Sequence, residues 1–163
     1  LLHFHDRNQN IHLYDTYKGM TRPTEEDRTL LGDASALDIW KKSEKKDKNM
    51  WCYAGLADVK QNLARTKYPM THVAFVQGPV EDTLPGQKPK EIALLRLDTD
   101  WYASTRHELT HLFPRLVRGG VLIVDDYGHW KGARKAVDEY FERQNIKVLL
   151  NRIDYTGRIG IKY

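Results

Sequence analysis

Cysteine is almost absent from this chain of 163 residues, which contains Cys52 and no other. A single cysteine excludes an intramolecular disulfide and any zinc site built from several cysteines. It is typical of a reducing compartment, so we expect a cytoplasmic protein. Long apolar runs are lacking too, because no stretch approaches the ~18–20 residues that a membrane span needs. We therefore expect no membrane partner.

Charge of one sign is not strongly in excess, since the formal net charge is +4. Much of the excess comes from lysines that are interleaved with acids in one segment: Lys41, Lys42, Lys45, Lys46 and Lys48. A nucleic-acid site would require an unbroken basic stripe or aromatic residues for stacking. We therefore expect a solvated surface and no nucleic-acid partner. Residues 34–50, which include these lysines, are predicted to form a mobile insertion or lid.

The remaining composition predicts one α/β domain over residues 1–163. It is 40% hydrophobic and 29% charged, as in ordinary globular proteins. Short apolar runs alternate with amphipathic segments, which indicates a mostly parallel sheet with crossover helices. Helices are predicted over residues 56–63, 104–116 and 132–143, and Gly119-Gly120 should end the second. Two C-terminal runs, 147–150 and 158–163, are too close for a crossover and should form an antiparallel hairpin.

Acidic residues follow two of the apolar runs. Asp98 and Asp100 follow one, and Asp125 and Asp126 follow the other. Runs of this kind are typical of buried parallel strands, and ligands bind beyond the carboxyl ends of such strands. Carboxylate oxygens are the ligands that Mg²⁺ prefers. The sequence thus predicts a metal site with the ligands Asp98, Asp125 and Asp126. Asp100 would support these ligands or replace one of them.

Asp15 ends a shorter apolar run, residues 11–15, and a turn at Gly19 follows. In nucleotide-binding sheets, an acid at the end of the second strand accepts hydrogen bonds from ribose hydroxyls. An ordinary turn residue would produce the same pattern, so the sequence leaves both interpretations open.

Several histidines and aromatic residues have a structural explanation beside a functional one. His129 could act as a general base or be an ordinary loop histidine. His107 and His111 have the i, i+4 spacing of a zinc pair, but the sequence offers no third ligand nearby. Trp101 and Tyr102 could line a substrate pocket or belong to the core.

Four ordered segments, residues 13–20, 78–85, 95–105 and 119–127, resemble the macrocin O-methyltransferase family, and residues 132–141 look like the helix that follows them in that family. These enzymes methylate sugar hydroxyls of macrolide and aminocoumarin natural products. They use S-adenosylmethionine and magnesium. The resemblance therefore implies these two cofactors and a small-molecule, sugar-bearing acceptor, and it leaves a homo-oligomer open.

The same resemblance implies a Rossmann-like class I methyltransferase sheet. By its motifs, Asp15 would bind the ribose of the cofactor. Gly78, Val80 and Glu81 match the loop of the family near the adenine.

The resemblance also assigns roles to the acidic residues after the two longer runs. Asp98, Asp125 and Asp126 match the magnesium ligands of the family. Asp98 also matches its general base, in preference to His129. The implied reaction is an in-line attack of a sugar oxygen on the sulfonium methyl group.

The family's first strand and glycine-rich turn have no counterpart before Asp15, because no glycine precedes the strand at Ile11. In a class I sheet that strand is central, between the strand that ends at Asp15 and the one that ends at Asp98. We therefore expect two sheet halves with unpaired inner edges. We also expect these residues to be the C-terminal portion of a longer protein or the product of a truncated gene, which leaves the activity of the 163 residues alone open.

Other functional classes share parts of this pattern. Asp98-x-Asp100 resembles the metal-binding pair of nucleotide-sugar glycosyltransferases. It also resembles the nucleophile pair of haloacid-dehalogenase-type phosphatases, although Tyr102 stands where those enzymes have Thr or Val. A non-catalytic remnant of a methyltransferase is the third alternative.

Overall fold

The computed structural model describes residues 8–163 and shows an α/β fold with two β-sheets. Its six strands are β1 (Ile11–Asp15), β2 (Val73–Gln77), β3 (Ile92–Leu97), β4 (Leu116–Val124), β5 (Asn151–Arg152) and β6 (Arg158–Ile161). The first sheet pairs β1 with β2 in parallel, and the second has the strand order β3-β4-β6-β5. β3 and β4 are parallel, while β6 runs antiparallel to both β4 and β5. The predicted parallel sheet with an antiparallel C-terminal end is confirmed.

The two sheets are separate: no hydrogen-bonded ladder joins them within residues 8–163. β3 is consequently an edge strand of its sheet, and Leu94 on it is 56% exposed. The predicted pair of sheet halves is therefore confirmed for the part of the chain that the structure describes.

In the described part of the chain, five α-helices accompany the strands: α1 (Ala36–Ser43), α2 (Leu56–Arg65), α3 (Val80–Thr83), α4 (Tyr102–Leu112) and α5 (Lys131–Arg143). The helices predicted over residues 56–63 and 132–143 are confirmed as α2 and α5. Over the described residues, no helix combines the length and the apolar character that crossing a membrane requires.

The predicted end of α4 was wrong. The helix stops at Leu112, and a 3₁₀ turn, Phe113–Arg115, follows it. Pro114 explains the stop, because proline lacks an N–H group and its ring clashes with the preceding helical turn. β4 then begins at Leu116 and includes both Gly119 and Gly120, which had been predicted to end the helix. The hairpin prediction also needed correction, since β5 is shorter and begins at Asn151.

The main core lies between the four-stranded sheet and the packed pair of α4 and α5. Side chains alternate along β3, so Leu95 and Leu97 are buried while Arg96 between them faces the opposite side. The corresponding residues of β4 are Leu122 and Val124. This alternation puts charge on the face of the sheet away from the core.

The buried acid Asp27 ties the loop before α1 to the start of α4. Its Oδ1 accepts a hydrogen bond from the Tyr102 N–H at 2.8 Å, and its Oδ2 accepts from the N–H and hydroxyl of Thr24. A carboxylate at a helix N-terminus satisfies an unpaired N–H and the helix dipole. Gly132 of α5 leaves room for this contact, because a Cβ there would lie 2.2 Å from Asp27 Oδ1.

The lysine-rich segment, residues 34–50, contains α1 and packs on the rest of the fold. Ala36 and Leu37 are buried. The Trp40 indole donates to the Met20 carbonyl, and the Asn49 side chain donates to the Trp40 carbonyl. These contacts describe how the segment is anchored, and its motion as a lid stays a prediction.

Glu108 is a buried acid on the core side of α4, with 5% exposure. Its Oε2 accepts a hydrogen bond of 2.9 Å from the Thr99 hydroxyl. Burial raises the pKa of Glu108 to about 8, and the charges of Glu81 and Asp98 add to the rise while the Thr99 hydrogen bond opposes it. Glu108 is therefore protonated in the folded protein at neutral pH.

We expect this burial to make stability depend on pH. Between the ordinary value of 4.5 and about 8, folded Glu108 keeps a proton that the unfolded chain has lost. Its favourable contribution is full below the lower value and is lost as the pH rises through the upper one. Glu108→Gln should remove this dependence and raise the free energy of unfolding by more than about 1 kcal/mol at about pH 9. Urea unfolding from about pH 5 to about pH 9 measures both effects.

Glu142→Gln at an exposed position of α5 is the matched control, and it should leave the pH profile of the wild type unchanged. Parallel profiles for wild type and Glu108→Gln would contradict the assignment of a buried, protonated Glu108.

Candidate functional site

The parallel pairing of β3 and β4 brings the acidic residues together. Leu97 lies opposite Val124 in the register, and the Asp125 N–H donates to the Leu97 carbonyl at 2.9 Å. Both strands therefore end at the same level, and Asp98 and Asp125 follow them side by side. The sequence predicted this edge as the site.

Asp98, Asp125 and Asp126 form one compact cluster, in which an oxygen of each carboxylate lies within 4.8 Å of the others. Among residues 8–163, no other group of three or more His, Cys, Asp or Glu side chains has ligand atoms this close together. The geometry thus brings together the three residues that the sequence predicted as metal ligands.

Burial and the closeness of the carboxylates raise the pKa values of Asp98 and Asp126, which disfavours the fully ionised cluster. Burial raises the pKa of Asp98 to about 6, Arg96 opposes this rise, and the charges of Asp125 and Asp126 add to it. Burial also raises the pKa of Asp126 to about 8, helped by a hydrogen bond with the Asp100 side chain and by its charge. Carboxylates in this state are stabilised by a proton or by a cation.

The donor set fits a magnesium ion. Asp126 Oδ2 is buried and has no hydrogen-bond partner within the described part of the chain. A buried oxygen without a donor costs free energy, which coordination of a cation would offset. Three neighbouring carboxylate oxygens also suit a hard divalent cation, whose remaining coordination positions are usually taken by water or substrate.

A cationic side chain already contacts this cluster. Arg96 Nη2 lies 3.0 Å from Asp98 Oδ2 and 2.9 Å from Asp125 Oδ1. One nitrogen thus bridges two of the three predicted metal ligands.

Asp100 lies beside the cluster, in contact with Asp126. Its backbone is in the left-handed region, with φ of 64°, a conformation that non-glycine residues adopt rarely. Burial raises its pKa, whereas hydrogen bonds with Asp126 and with the Trp130 indole lower it. These contacts favour a supporting position for Asp100 over that of a ligand.

Asp15 and Gly78 lie side by side at the ends of β1 and β2. The Gly78 N–H donates to the Asp15 carbonyl at 3.0 Å, and Asp15 Oδ1 accepts from the Tyr17 N–H at 2.6 Å. Asp15 is exposed. Gly78 has φ of 139°, which favours glycine, and a Cβ there would lie 3.0 Å from the Thr83 methyl group. Because Gly78 has no side chain, none shields its backbone at this edge of the sheet.

Val80 and Glu81, the other predicted cofactor residues, begin α3. The Val80 side chain is buried in the main core, with 5% exposure, so a ligand could reach only its backbone. Glu81 is half-buried. Its charge adds to the raised pKa of Glu108 on α4.

The aromatic and histidine candidates lie in different surroundings. Trp101 is 2% exposed and packs edge-to-face with Trp51 and Trp130, so it belongs to a buried aromatic cluster. The Tyr102 hydroxyl donates to Glu139 on α5. His129 packs against Trp130 and lies near enough to Asp126 to lower its pKa.

The two histidines of α4, His107 and His111, lie close together without a third ligating side chain in the described residues. The rings of His107 and His111 have centroids 4.4 Å apart. They belong to no group of three ligating side chains within the described residues.

Sequence reasoning missed Arg96, Glu108 and Trp51, although two of them left a signal. Arg96 is the only charged residue inside the apolar run Ile92–Leu97, and such a residue requires a partner. Glu108 shares the buried helical stripe with Thr105 and Leu112. Trp51 follows a loop, and no periodicity points to it.

Comparison with known proteins identifies related sequences. The family model described as macrocin-O-methyltransferase (TylF) matches residues 1–159. Mycinamicin III 3''-O-methyltransferase of Micromonospora griseorubida is 32% identical over 151 residues, which cover 93% of this chain and 56% of that relative. A Streptomyces olivaceus enzyme, 8-demethyl-8-(2,3-dimethoxy-alpha-L-rhamnosyl)-tetracenomycin-C 4'-O-methyltransferase, is 40% identical over 102 residues, or 63% of this chain and 39% of that relative.

Solved structures agree with these relatives. The O-methyltransferase NovP superposes with a TM-score of 0.77 and 27% identity, covering 94% of this chain and 60% of NovP. The chain thus spans less than two thirds of the length of each of these relatives. The likeness confirms the Rossmann-like class I methyltransferase fold. Because the family model matches nearly the whole sequence, the chain belongs to the macrocin-O-methyltransferase (TylF) family.

Proposed function

We propose that the protein is an S-adenosylmethionine- and magnesium-dependent O-methyltransferase, which acts on a sugar hydroxyl of a natural product or related small molecule. The observation that carries this proposal is the cluster of Asp98, Asp125 and Asp126, whose oxygens lie within 4.8 Å of one another at the ends of two parallel strands. Family membership supports the reaction type. The name of the S. olivaceus relative, which describes a rhamnosyl acceptor, supports a sugar as the acceptor.

In this proposal Asp98, Asp125 and Asp126 hold the magnesium ion. When bound, magnesium supplies Lewis-acid polarisation of the acceptor hydroxyl and helps to orient it. The chain contributes a rigid frame, since β3 and β4 fix the spacing of the three carboxylates.

Asp98 is also proposed as the general base that takes the hydroxyl proton. Its carboxylate lies beside Asp125 and Asp126, the other proposed magnesium ligands, and is therefore placed next to a hydroxyl held at that site. The surrounding protein partly desolvates the Asp98 carboxyl group, but 50% of the side chain is exposed, so an acceptor can reach it. His129 is half-buried against aromatic rings, which makes it the weaker candidate.

The cofactor would lie at the ends of β1 and β2. S-adenosylmethionine supplies the electrophilic methyl group. Asp15 is proposed to accept hydrogen bonds from its ribose, and Gly78 with the backbone of Val80 to lie beside its adenine. Glu81 is proposed at the edge of the same site. Holding the acceptor and the methyl group in contact would supply much of the rate.

The acceptor side is proposed to include Trp51 and residues 34–50. Trp51 is half-buried, whereas its neighbours Trp101 and Trp130 are buried, so Trp51 presents the accessible ring of the cluster. The segment 34–50 directly precedes this ring and would cover a bound acceptor as a lid.

Cofactor binding is tested first. We expect isothermal calorimetry to detect binding of S-adenosylhomocysteine to the purified protein. Asp15→Asn should weaken this binding about tenfold, because a hydrogen bond to a charged group is lost. Asp58→Asn, at an exposed position of α2, is the matched control and should bind as the wild type does.

Failure to bind S-adenosylhomocysteine by both the 163 residues and a longer form that adds the family's first strand and glycine-rich turn would refute the methyltransferase proposal. Binding by the longer form alone would show that the added strand and turn are needed for cofactor binding. Binding of a nucleotide-sugar with Mn²⁺ instead would favour the glycosyltransferase alternative. Cofactor and metal binding without turnover would favour the non-catalytic one.

Turnover tests the role of Asp98. With labelled S-adenosylmethionine and rhamnosyl-tetracenomycin or mycinamicin III as acceptors, Asp98→Asn should lower the rate by about 10²–10⁴-fold, because the amide cannot take a proton. The amide is also a weaker magnesium ligand than the carboxylate, so the rates are compared at saturating Mg²⁺. Cofactor affinity should stay at the wild-type value. A rate within a factor of about two of the wild type would exclude Asp98 as the base.

Hydrogen exchange tests the lid. If residues 34–50 close over the acceptor, their amides should exchange more slowly when acceptor and S-adenosylhomocysteine are both bound. The amides of α5 serve as the internal reference and should not change. Equal exchange in the free and bound protein would show that the segment is a fixed part of the fold.

A further inference from the structure

The side chain of Arg96 lies on the face of the sheet that carries the proposed metal site. Residues two apart in a strand share a face, and the register places Arg96 opposite Ile123. Asp98 and Asp125 each lie two positions beyond this pair. Arg96 Nη2 reaches both carboxylates, with distances of 3.0 and 2.9 Å.

This contact differs from an ordinary surface ion pair. The Arg96 side chain is 53% exposed, and a pair of that kind usually contributes little to stability. Here, however, a single nitrogen bridges two carboxylates, and both belong to the cluster of Asp98, Asp125 and Asp126. A cation that entered the cluster would meet the guanidinium group at the same oxygens or directly beside them.

The charges of the site therefore set up a competition. Three carboxylates face one guanidinium group, so the cluster attracts further positive charge. A divalent ion in the cluster would be repelled by Arg96 at short range, where the interaction is weakly screened. Arg96 would have to move away or weaken the binding of the ion.

We propose that Arg96 is a positioning residue of the metal site, which holds Asp98 and Asp125 together in the metal-free protein and competes with the divalent cation for them. This inference rests on the magnesium site of the proposed function. Its consequence is that the metal binds weakly and exchanges readily. Arg96 thus sets the metal concentration at which the site is filled.

Metal titration tests the proposal without reference to turnover. Isothermal calorimetry with MgCl₂ and MnCl₂ should give a dissociation constant at least roughly tenfold lower for Arg96→Gln than for the wild type. The metal-free variant should also melt at a lower temperature than the wild type, because the carboxylates then lack their counter-ion. Added Mg²⁺ should raise its melting temperature more than it raises that of the wild type.

Further variants make the result specific. Arg118→Gln removes the same charge near the opposite end of β4 and should leave the metal affinity unchanged. Arg96→Lys keeps the charge and should stay closer to the wild type than Arg96→Gln does. Asp126→Asn should abolish metal binding both in the wild type and in Arg96→Gln. Such a loss would show that the titration measures the same site in both proteins. If Arg96→Gln does not fold, Arg96→Met provides the same neutral substitution.

The outcomes separate this inference from the proposed function. Equal or weaker metal binding by Arg96→Gln, with binding by the wild type, would overturn the role of Arg96 and leave the metal site intact. Absence of binding by both proteins would overturn the metal site and this inference together. Equal tightening by Arg118→Gln would show a general effect of net charge and would also overturn the proposal.

Discussion

The parallel pairing of β3 and β4 is the interaction on which the candidate site depends. Because Leu97 and Val124 are paired, Asp98 and Asp125 leave the sheet at the same level and on neighbouring strands. A shift of one residue would turn the buried leucines outward and move the acids to the other face. The apolar core that α4 and α5 form with these strands therefore fixes the register, and the register fixes the carboxylates. Packing on one face of the sheet therefore determines where the carboxylates at its end lie.

Sequence patterns could predict the parts of this arrangement that are local. The position of acids after apolar runs predicted Asp98, Asp125 and Asp126 as site residues, and helical periodicity predicted α2 and α5. The end of α4 was mispredicted because Gly119-Gly120 was expected to stop the helix, whereas Pro114 ends it earlier. Asp27 was not predictable in this way, because its partner Tyr102 lies 75 positions away and only the folded chain joins them. Long-range partners of single polar residues leave no periodic trace in one sequence.

The link between Asp27 and α4 also explains how the proposed acceptor side is held. The Asp27 carboxylate satisfies the first N–H of α4, while its backbone carbonyl accepts from the Ala36 N–H at the start of α1. One buried residue thus connects α1 with the helix that follows Asp98. The aromatic cluster adds a second connection, since Trp51 packs on Trp101 and Trp130. Any motion of residues 34–50 would therefore be confined to the stretch between Ala36 and Trp51, where these two connections hold the chain.

Exposed acidic residues elsewhere in the fold differ from the acids at this edge. The Lys131 and Arg28 side chains lower the pKa of Asp33, and backbone N–H groups of Gly157 and Thr156 lower that of Asp154. At the ends of β3 and β4 the direction reverses, because burial raises the pKa of both Asp98 and Asp126. Buried Glu108 shares the raised pKa, but its Oε2 accepts a hydrogen bond from the Thr99 hydroxyl, whereas Asp126 Oδ2 has no hydrogen-bond partner within the described residues. A site in that condition gains most from a cation, which is the physical reason to associate this edge with a metal rather than with a structural turn.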